Sequence, residues 1–293
     1  MKGGRGSEAS ERRQGLLMVA PAVLTLVAVA LYPILAAVWL SLRRVVLVFR
    51  EDRFVGLDNY LFLFGDPRFW QALGNTAYFT LVAVTLEVLL ALPLALLLNA
   101  AFPARGLFRA SVLIPWAIPT VVSARLWAWL FNPDFGLVNR LLGAGLNWLG
   151  SPGLALHAAI VVDVWKTTPF VALLLLAGLQ TIPPDLYKAA RVDGASPWRS
   201  FRSITLPLLK PALLLALLFR TLDAFRVFDA IYVLTEGGPG NATETLSIYA
   251  YKVLMRSGDF GYGSTLAVVT FLCVGAISLV YLRLLGRSEE RAR

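Results

Sequence analysis

Six apolar stretches, each long enough to cross a lipid bilayer, constrain this chain more than any other feature. A helix needs about 20 residues to span the hydrocarbon core. Leu16–Leu42, Asn75–Ala101, Val112–Phe131, Leu156–Leu179, Leu208–Val233 and Tyr262–Leu285 all reach that length. Of the 293 residues, 58% are hydrophobic and 15% charged. Soluble domains average about 45–50% and about 25%. A soluble core of this size could not hide so much apolar surface, so the chain is read as an integral membrane protein. In lipid the backbone must satisfy its hydrogen bonds within each segment, so the stretches are helices and their connections lie outside the hydrocarbon. The expected fold is all-α, a polytopic bundle of six transmembrane helices. It divides into a cytoplasmic tail (1–15), a membrane domain (16–285) and a second cytoplasmic tail (286–293). The first stretch is too long for a signal-peptide core and is followed by Arg43 and Arg44, which marks it as a retained anchor.

Several function classes drop out at this stage. With one histidine, His157, and one cysteine, Cys273, neither a zinc site nor a histidine-based triad is available. The net charge of +9 first suggests nucleic acid, but its distribution says otherwise. An even number of spans puts both termini on one side. Lys2, Arg5, Arg12 and Arg13, the second connection with Arg105 and Arg109, the fourth connection and the C-terminal tail share that side. Its basic excess accounts for the whole net charge, and lysine and arginine mark the cytoplasmic face. The basic balance is thus a topology signal. No Walker-type glycine loop is present, so any ATP must be bound by another chain.

The fourth connection, 180–207, carries the sharpest local signal. Asp185 is placed to cap a short helix from Leu186, and Gly194 suits the left-handed residue that ends it. Ser196 can cap a second helix with Pro197 in its first turn. Pro207 is expected to stop that helix and open the fifth span. Leu186, Ala189 and Ala190 fall on one face of the first helix, and Trp198, Phe201 and Thr205 approximate a face on the second. Exposed aromatics on a compact helical pair fit a partner's groove. An amphipathic loop resting on lipid headgroups is the plainer alternative.

The residues Lys188-Ala-Ala-Arg-Val-Asp-Gly-Ala195, with Phe201, Leu206-Pro207 and Pro211, resemble the signature loop of ABC importer permeases. Asp193, Gly194, Pro207 and Pro211 stand where that pattern places them. Lys188 occupies a position usually held by glutamate. Ile114-Pro-Trp-Ala-Ile-Pro119, Asn132-Pro133, Val164-Trp-Lys-Thr-Thr-Pro-Phe170, Leu218-Phe-Arg-Thr-Leu-Asp-Ala-Phe225 and Leu234-Thr-Glu-Gly-Gly-Pro239 extend the likeness to the carbohydrate-importing branch, nearest to maltose and trehalose permeases. The resemblance implies a loop, with Leu186, Lys188, Ala189, Ala190, Asp193, Gly194, Ala195, Trp198 and Phe201, that docks into a cytoplasmic ATPase subunit. It further implies a second homologous permease subunit, two ATPase subunits holding ATP and magnesium, and an extracytoplasmic sugar-binding protein. This chain itself would be non-catalytic, without a cofactor or metal, in a prokaryotic cytoplasmic (inner) membrane.

Glu87, Arg125, Asp163, Lys166, Arg220, Asp223, Arg226 and Asp229 lie inside the spans. Each is expensive in lipid and should face the interior with a partner. Asp163 with Lys166, Arg220 with Asp223 and Arg226 with Asp229 are spaced for pairing along one helix, and Glu87 can reach Arg125 across spans. One reading is that these charges lock helices together. The other is a polar cavity. Asp163, Lys166, Thr167 and Phe170 share a helix face, and carboxylates, amines and an aromatic ring suit a sugar's hydroxyls and ring face. Trp165 is a second stacking candidate. In the resembling maltose permease, positions matching Asp163, Lys166, Thr167 and Phe170 line the sugar site, as do those around Arg220, Ala224 and Val227. Asp223 joins them from its mid-span position. Pro115 and Pro119 are expected to kink the third span.

The expected function is the permease subunit of an ATP-driven, binding-protein-dependent importer of α-glucosides of trehalose or maltose type. Two alternatives stay open. One is a proton-coupled secondary transporter. The other is an importer of a phosphorylated polyol, which Arg220 and Lys166 could meet.

Overall fold

A computed structural model describes residues 4–101 and 103–290, with side chains over 14–101 and 103–286. Among the described residues, five helices are long and apolar enough to cross a membrane, or six if the bent pair Arg105–Ala117 and Thr120–Leu130 is one span. By internal contacts the chain falls into two compact units, 1–65 with 250–269, and 66–249 with 270–293.

The first unit holds helix α1 (Gln14–Ser41), a hairpin of β1 (Arg43–Val46) and β2 (Glu51–Phe54), and helix α2 (Asp58–Gly65). The strands are antiparallel, with Arg43 opposite Phe54 and Val46 opposite Glu51. Arg43 pairs with Asp52 at 2.7 Å and Arg44 with Glu51 at 2.8 Å. Asn59 Nδ2 donates to the carbonyls of Ser41 and Arg43 at 2.8 and 2.9 Å. It thereby satisfies acceptors left open where α1 gives way to the strand. By hydropathy this stretch is only the connection between the first two apolar stretches. Its strands are too short and too charged to show an apolar alternation.

The second unit is built on helix α3 (Pro67–Asn99). Asp66 caps it, accepting from the Arg68 amide at 2.9 Å, with Pro67 in the first turn. The helix begins before Asn75, the start of the apolar stretch, and its first two turns carry Arg68 and Gln71 among apolar residues. Next come α4 (Arg105–Ala117), α5 (Thr120–Leu130), the short α6 (Leu137–Leu142) and α7 (Pro152–Gln180). α7 is the axis of the unit and packs on α3 and α4. α3 and α7 bring together alanines with no exposed surface, among them Ala83, Ala91, Ala95, Ala158, Ala159 and Ala172. Between helices in lipid, close approach through small residues does the work that hydrophobic burial does in water.

α8 (Pro184–Val192) and α9 (Pro197–Phe225) follow. Pro207 does not end the helix that Ser196 begins. A π-helical turn over Phe201–Thr205 carries the chain through it. A proline removes one donor and crowds the preceding turn, and a wider i→i+5 turn relieves both. The same device stands at Val27–Leu31, just before Pro33. α9 then stops at Phe225, short of the expected Val233. Residues 226–228 leave the helix, and α10 (Asp229–Leu234) is a separate piece. α11 (Leu246–Tyr251) and α12 (Phe260–Glu290) complete the chain.

Candidate functional site

The third apolar stretch is broken. α4 and α5 meet at 88°, with Ile118 and Pro119 in extended conformation between them. A residue before proline is pushed out of the helical region, so Ile118-Pro119 makes the corner, while Pro115 is carried inside α4. The kink expected here is a full interruption. α5 takes up its ladder again with Ser123 N to Pro119 O at 3.0 Å. Behind the corner, Lys166 Nζ from α7 donates to the carbonyls of Ile118 at 2.8 Å and Trp116 at 3.2 Å.

The fifth apolar stretch is interrupted at 226–228. Arg226 Nε turns back to the Leu222 carbonyl at 3.1 Å, and Thr245 Oγ1 donates to the Val227 carbonyl at 3.2 Å. Both interruptions open onto one cavity of about 370 Å³. Trp116 and Thr120 line it from the first break and Arg226, Val227, Phe228, Asp229 and Ala230 from the second. Asp163, Lys166 and Thr167 of α7 and Asp223 and Ala224 of α9 complete it. Six of the nine residues expected in a binding site are therefore brought together: Asp163, Lys166, Thr167, Asp223, Ala224 and Val227.

The other three do not line the cavity. Arg220 is 1% exposed and lies behind it. Its Nε and Nη2 hold Glu87 in a two-point clasp at 2.6 and 2.7 Å. Nη2 also reaches Asp163 Oδ2 at 2.9 Å, and Nη1 bonds Asp223. Phe170 stacks on Trp116, with centroids 5.5 Å apart and planes at 17°, so it backs the wall that Trp116 presents. Trp165 turns its ring to Trp127, edge to face at 5.6 Å.

The pairing scheme differs from the expected one in three places. Lys166 is spent on backbone carbonyls, not on Asp163. Arg226 binds a carbonyl, not Asp229. Glu87, fully buried, is held by Arg220 and by Thr167 Oγ1 at 2.7 Å, not by the exposed Arg125. Only the Arg220–Asp223 pair was correctly placed by spacing. Sequence reasoning missed Trp116, Thr120, Arg226, Phe228, Asp229 and Ala230 as lining residues. The prolines flanking Trp116 were a usable signal, because a broken helix inside a membrane exists only where it lines a cavity or packs on protein.

The connection between α7 and α9 holds one separate short helix, α8, and the second helix expected here is the first turns of α9. α8 starts at Pro184, and Asp185 in its first turn pairs with Lys188 at 2.8 Å instead of capping. Gly194 has φ of +72°, the left-handed turn expected there. Ser196 Oγ accepts from the Arg199 amide at 3.3 Å. Tyr187 and Thr205 hydroxyls meet at 2.9 Å and fasten the two helices together. Leu186 and Ala189 are exposed and Ala190 is half-buried. Trp198 is 69% exposed and stacks on the half-buried Phe201, with centroids 5.5 Å apart. The two aromatics form part of a groove of about 710 Å³. Asp193 is exposed and Ala195 half-buried beside the turn.

Comparisons with known proteins agree with this architecture. Residues 63–293 match the family described as binding-protein-dependent transport system inner membrane component. The trehalose/maltose transport system permease protein MalF of Thermococcus litoralis is 48% identical over 93% of this chain and 94% of its own. The trehalose transport system permease protein SugA of Mycobacterium tuberculosis is 45% identical over 96% of this chain and 91% of its own. One solved structure, a bacterial ABC transporter involved in the import of the acidic polysaccharide alginate, contains a chain that superposes with a TM-score of 0.81. It covers 97% of this chain and 99% of that one at 23% identity, a likeness of fold.

Proposed function

Because the chain belongs to the family of binding-protein-dependent transport system inner membrane components, we propose that it passes a small uncharged sugar of trehalose or maltose type through the cavity between α7 and the two interrupted helices. It is a non-catalytic ABC transporter permease subunit, and ATP hydrolysis lies in a partner. The cavity lining is the observation that carries the reading. About 370 Å³ lies near the lower end of the roughly 300–1,000 Å³ range of small-molecule sites, and suits one or two sugar rings. Asp163 and Asp223 accept hydroxyl donors, and Trp116 offers a flat apolar face to a ring. Lining carboxylates Asp163, Asp223 and Asp229 stand against the cations Lys166 and Arg226, and Lys166 is already engaged. Such a lining favours a neutral polyol over a phosphorylated one.

The remaining parts follow from the family and the surface chemistry. The α8–α9 pair, with Leu186, Ala189, Gly194 and Trp198 outward, docks on one of two cytoplasmic ATPase subunits. A second permease subunit completes the pathway, and an extracytoplasmic protein delivers the sugar. Both termini lie in the cytoplasm, on the side of the basic excess. Closure of the ATPase pair moves the α8–α9 pair and opens the cavity outward. Hydrolysis reverses it.

The test is ATP hydrolysis by the complex in liposomes, with binding protein loaded with trehalose, maltose or a sugar phosphate. Trehalose or maltose is expected to stimulate hydrolysis and the phosphate is not. Asp223→Ala should abolish uptake while the complex still assembles. Stimulation by the phosphate alone would refute the neutral-sugar reading. Failure of any ATPase to copurify would refute the importer.

A further inference from the structure

We propose that Lys166 is a positioning residue, not a sugar ligand: its ammonium caps the interrupted third span and thereby fixes the wall that Trp116 and Thr120 present to the cavity. The inference builds on the reading of that cavity as a sugar site. Where Pro119 ends the ladder of α4, carbonyls that a continuous helix would have paired are turned loose. In lipid, with no water to take them, unpaired carbonyls are costly. Lys166 Nζ supplies two donors, at 2.8 Å to Ile118 and 3.2 Å to Trp116. These are acceptors on either side of Ala117, at a helix C-terminus where a cation is favoured.

The consequence is directional. Binding to the Trp116 carbonyl holds that residue's backbone, and the stack on Phe170 holds its ring. Thr120, first residue of α5, sits across the corner. The side chains nearest the ammonium make their hydrogen bonds elsewhere. Asp163 and Asp223 both bond Arg220, and Thr167 bonds Glu87 and the Asp163 carbonyl. Two of the three N–H donors of the ammonium are thus spent on backbone carbonyls, which leaves at most one for a passing hydroxyl.

The experiment compares Lys166→Met and Lys166→Arg in the complete transporter in lipid nanodiscs. Arginine can span both carbonyls, and methionine can reach neither. Hydrogen exchange in a peptide covering 112–124 should rise about tenfold in Lys166→Met, as expected of local opening. It should stay near the parent rate in Lys166→Arg. For hydrolysis stimulated by sugar-loaded binding protein, Lys166→Met should lower the maximal rate by about tenfold and Lys166→Arg by less than about threefold. Equal exchange in all three proteins would overturn the capping role. Normal maximal rate with a raised half-saturating concentration in both variants would overturn it too, and assign Lys166 to the ligand. If no sugar stimulates the parent complex, the sugar reading fails while the exchange arm still decides the role of Lys166.

Discussion

At the scale of single residues, Arg220 has the most to lose by substitution. It is enclosed by Glu87, Asp163 and Asp223, which come from α3, α7 and α9. Removing one partner of a buried pair strands a charge and costs about 3–5 kcal/mol. Arg220→Met leaves three carboxylates facing one another, two of them well shielded, whereas Glu87→Gln leaves Arg220 with two acids. Purified Arg220→Met complex should therefore lose thermal stability more steeply than Glu87→Gln, and recover when Glu87→Gln is added to it. Melting curves of the three variants in detergent check the order, and no recovery in the double variant would show that the residues are not coupled. The sequence made all of these charges visible, but not their grouping. Local spacing finds partners on one helix only, and Arg220 reaches two further helices. The same limit explains why Lys166 was assigned to Asp163: a backbone carbonyl set free on another helix leaves no mark in residue type.

At the scale of elements, helix interruptions decide where chemistry is placed. Hydropathy located every span, because composition alone dictates which segments can lie in lipid. It could not say that the third turns by 88° or that the fifth stops at Phe225, since both stretches stay apolar enough on average to read as continuous, their charges included. Prolines are ambiguous for a related reason. Pro119 breaks its helix, while Pro207 is absorbed by a π turn and Pro169 sits buried inside α7. The left-handed turn at Gly194 was legible, because only one residue type adopts it freely. No atom lies near the position a Cβ would take there, so a larger side chain meets backbone strain and no clash. Gly194→Val should cost about 1–2 kcal/mol at this turn and sharply lower sugar-stimulated ATP hydrolysis. Sugar binding to the detergent-solubilised complex should stay within twofold of the parent, about 0.4 kcal/mol. A variant with normal stimulated hydrolysis would remove the turn from the coupling path.

At the scale of the whole molecule, the larger unit coheres through closeness. α7 and α9 cross at Gly178, where an added Cβ would press on the Ala212 side chain and lie 3.0 Å from Leu209 Cδ1. Gly178→Leu should separate the two helices and lower the yield of monodisperse complex severalfold, measured by size-exclusion chromatography. Gly275→Leu, on a helix where an added Cβ meets nothing, is the control and should behave as the parent. Equal behaviour of the two would mean that the crossing tolerates expansion. The single guanidinium that joins α3, α7 and α9 gives this packing a mechanical meaning. Three rods fastened at one pin can turn together, but none can slide away without leaving a bare charge in oil. On the proposed mechanism, a stroke delivered by a partner would turn these three helices as one wedge, and the pieces left to yield against it would be the short arms beyond the two corners, α5 and α10.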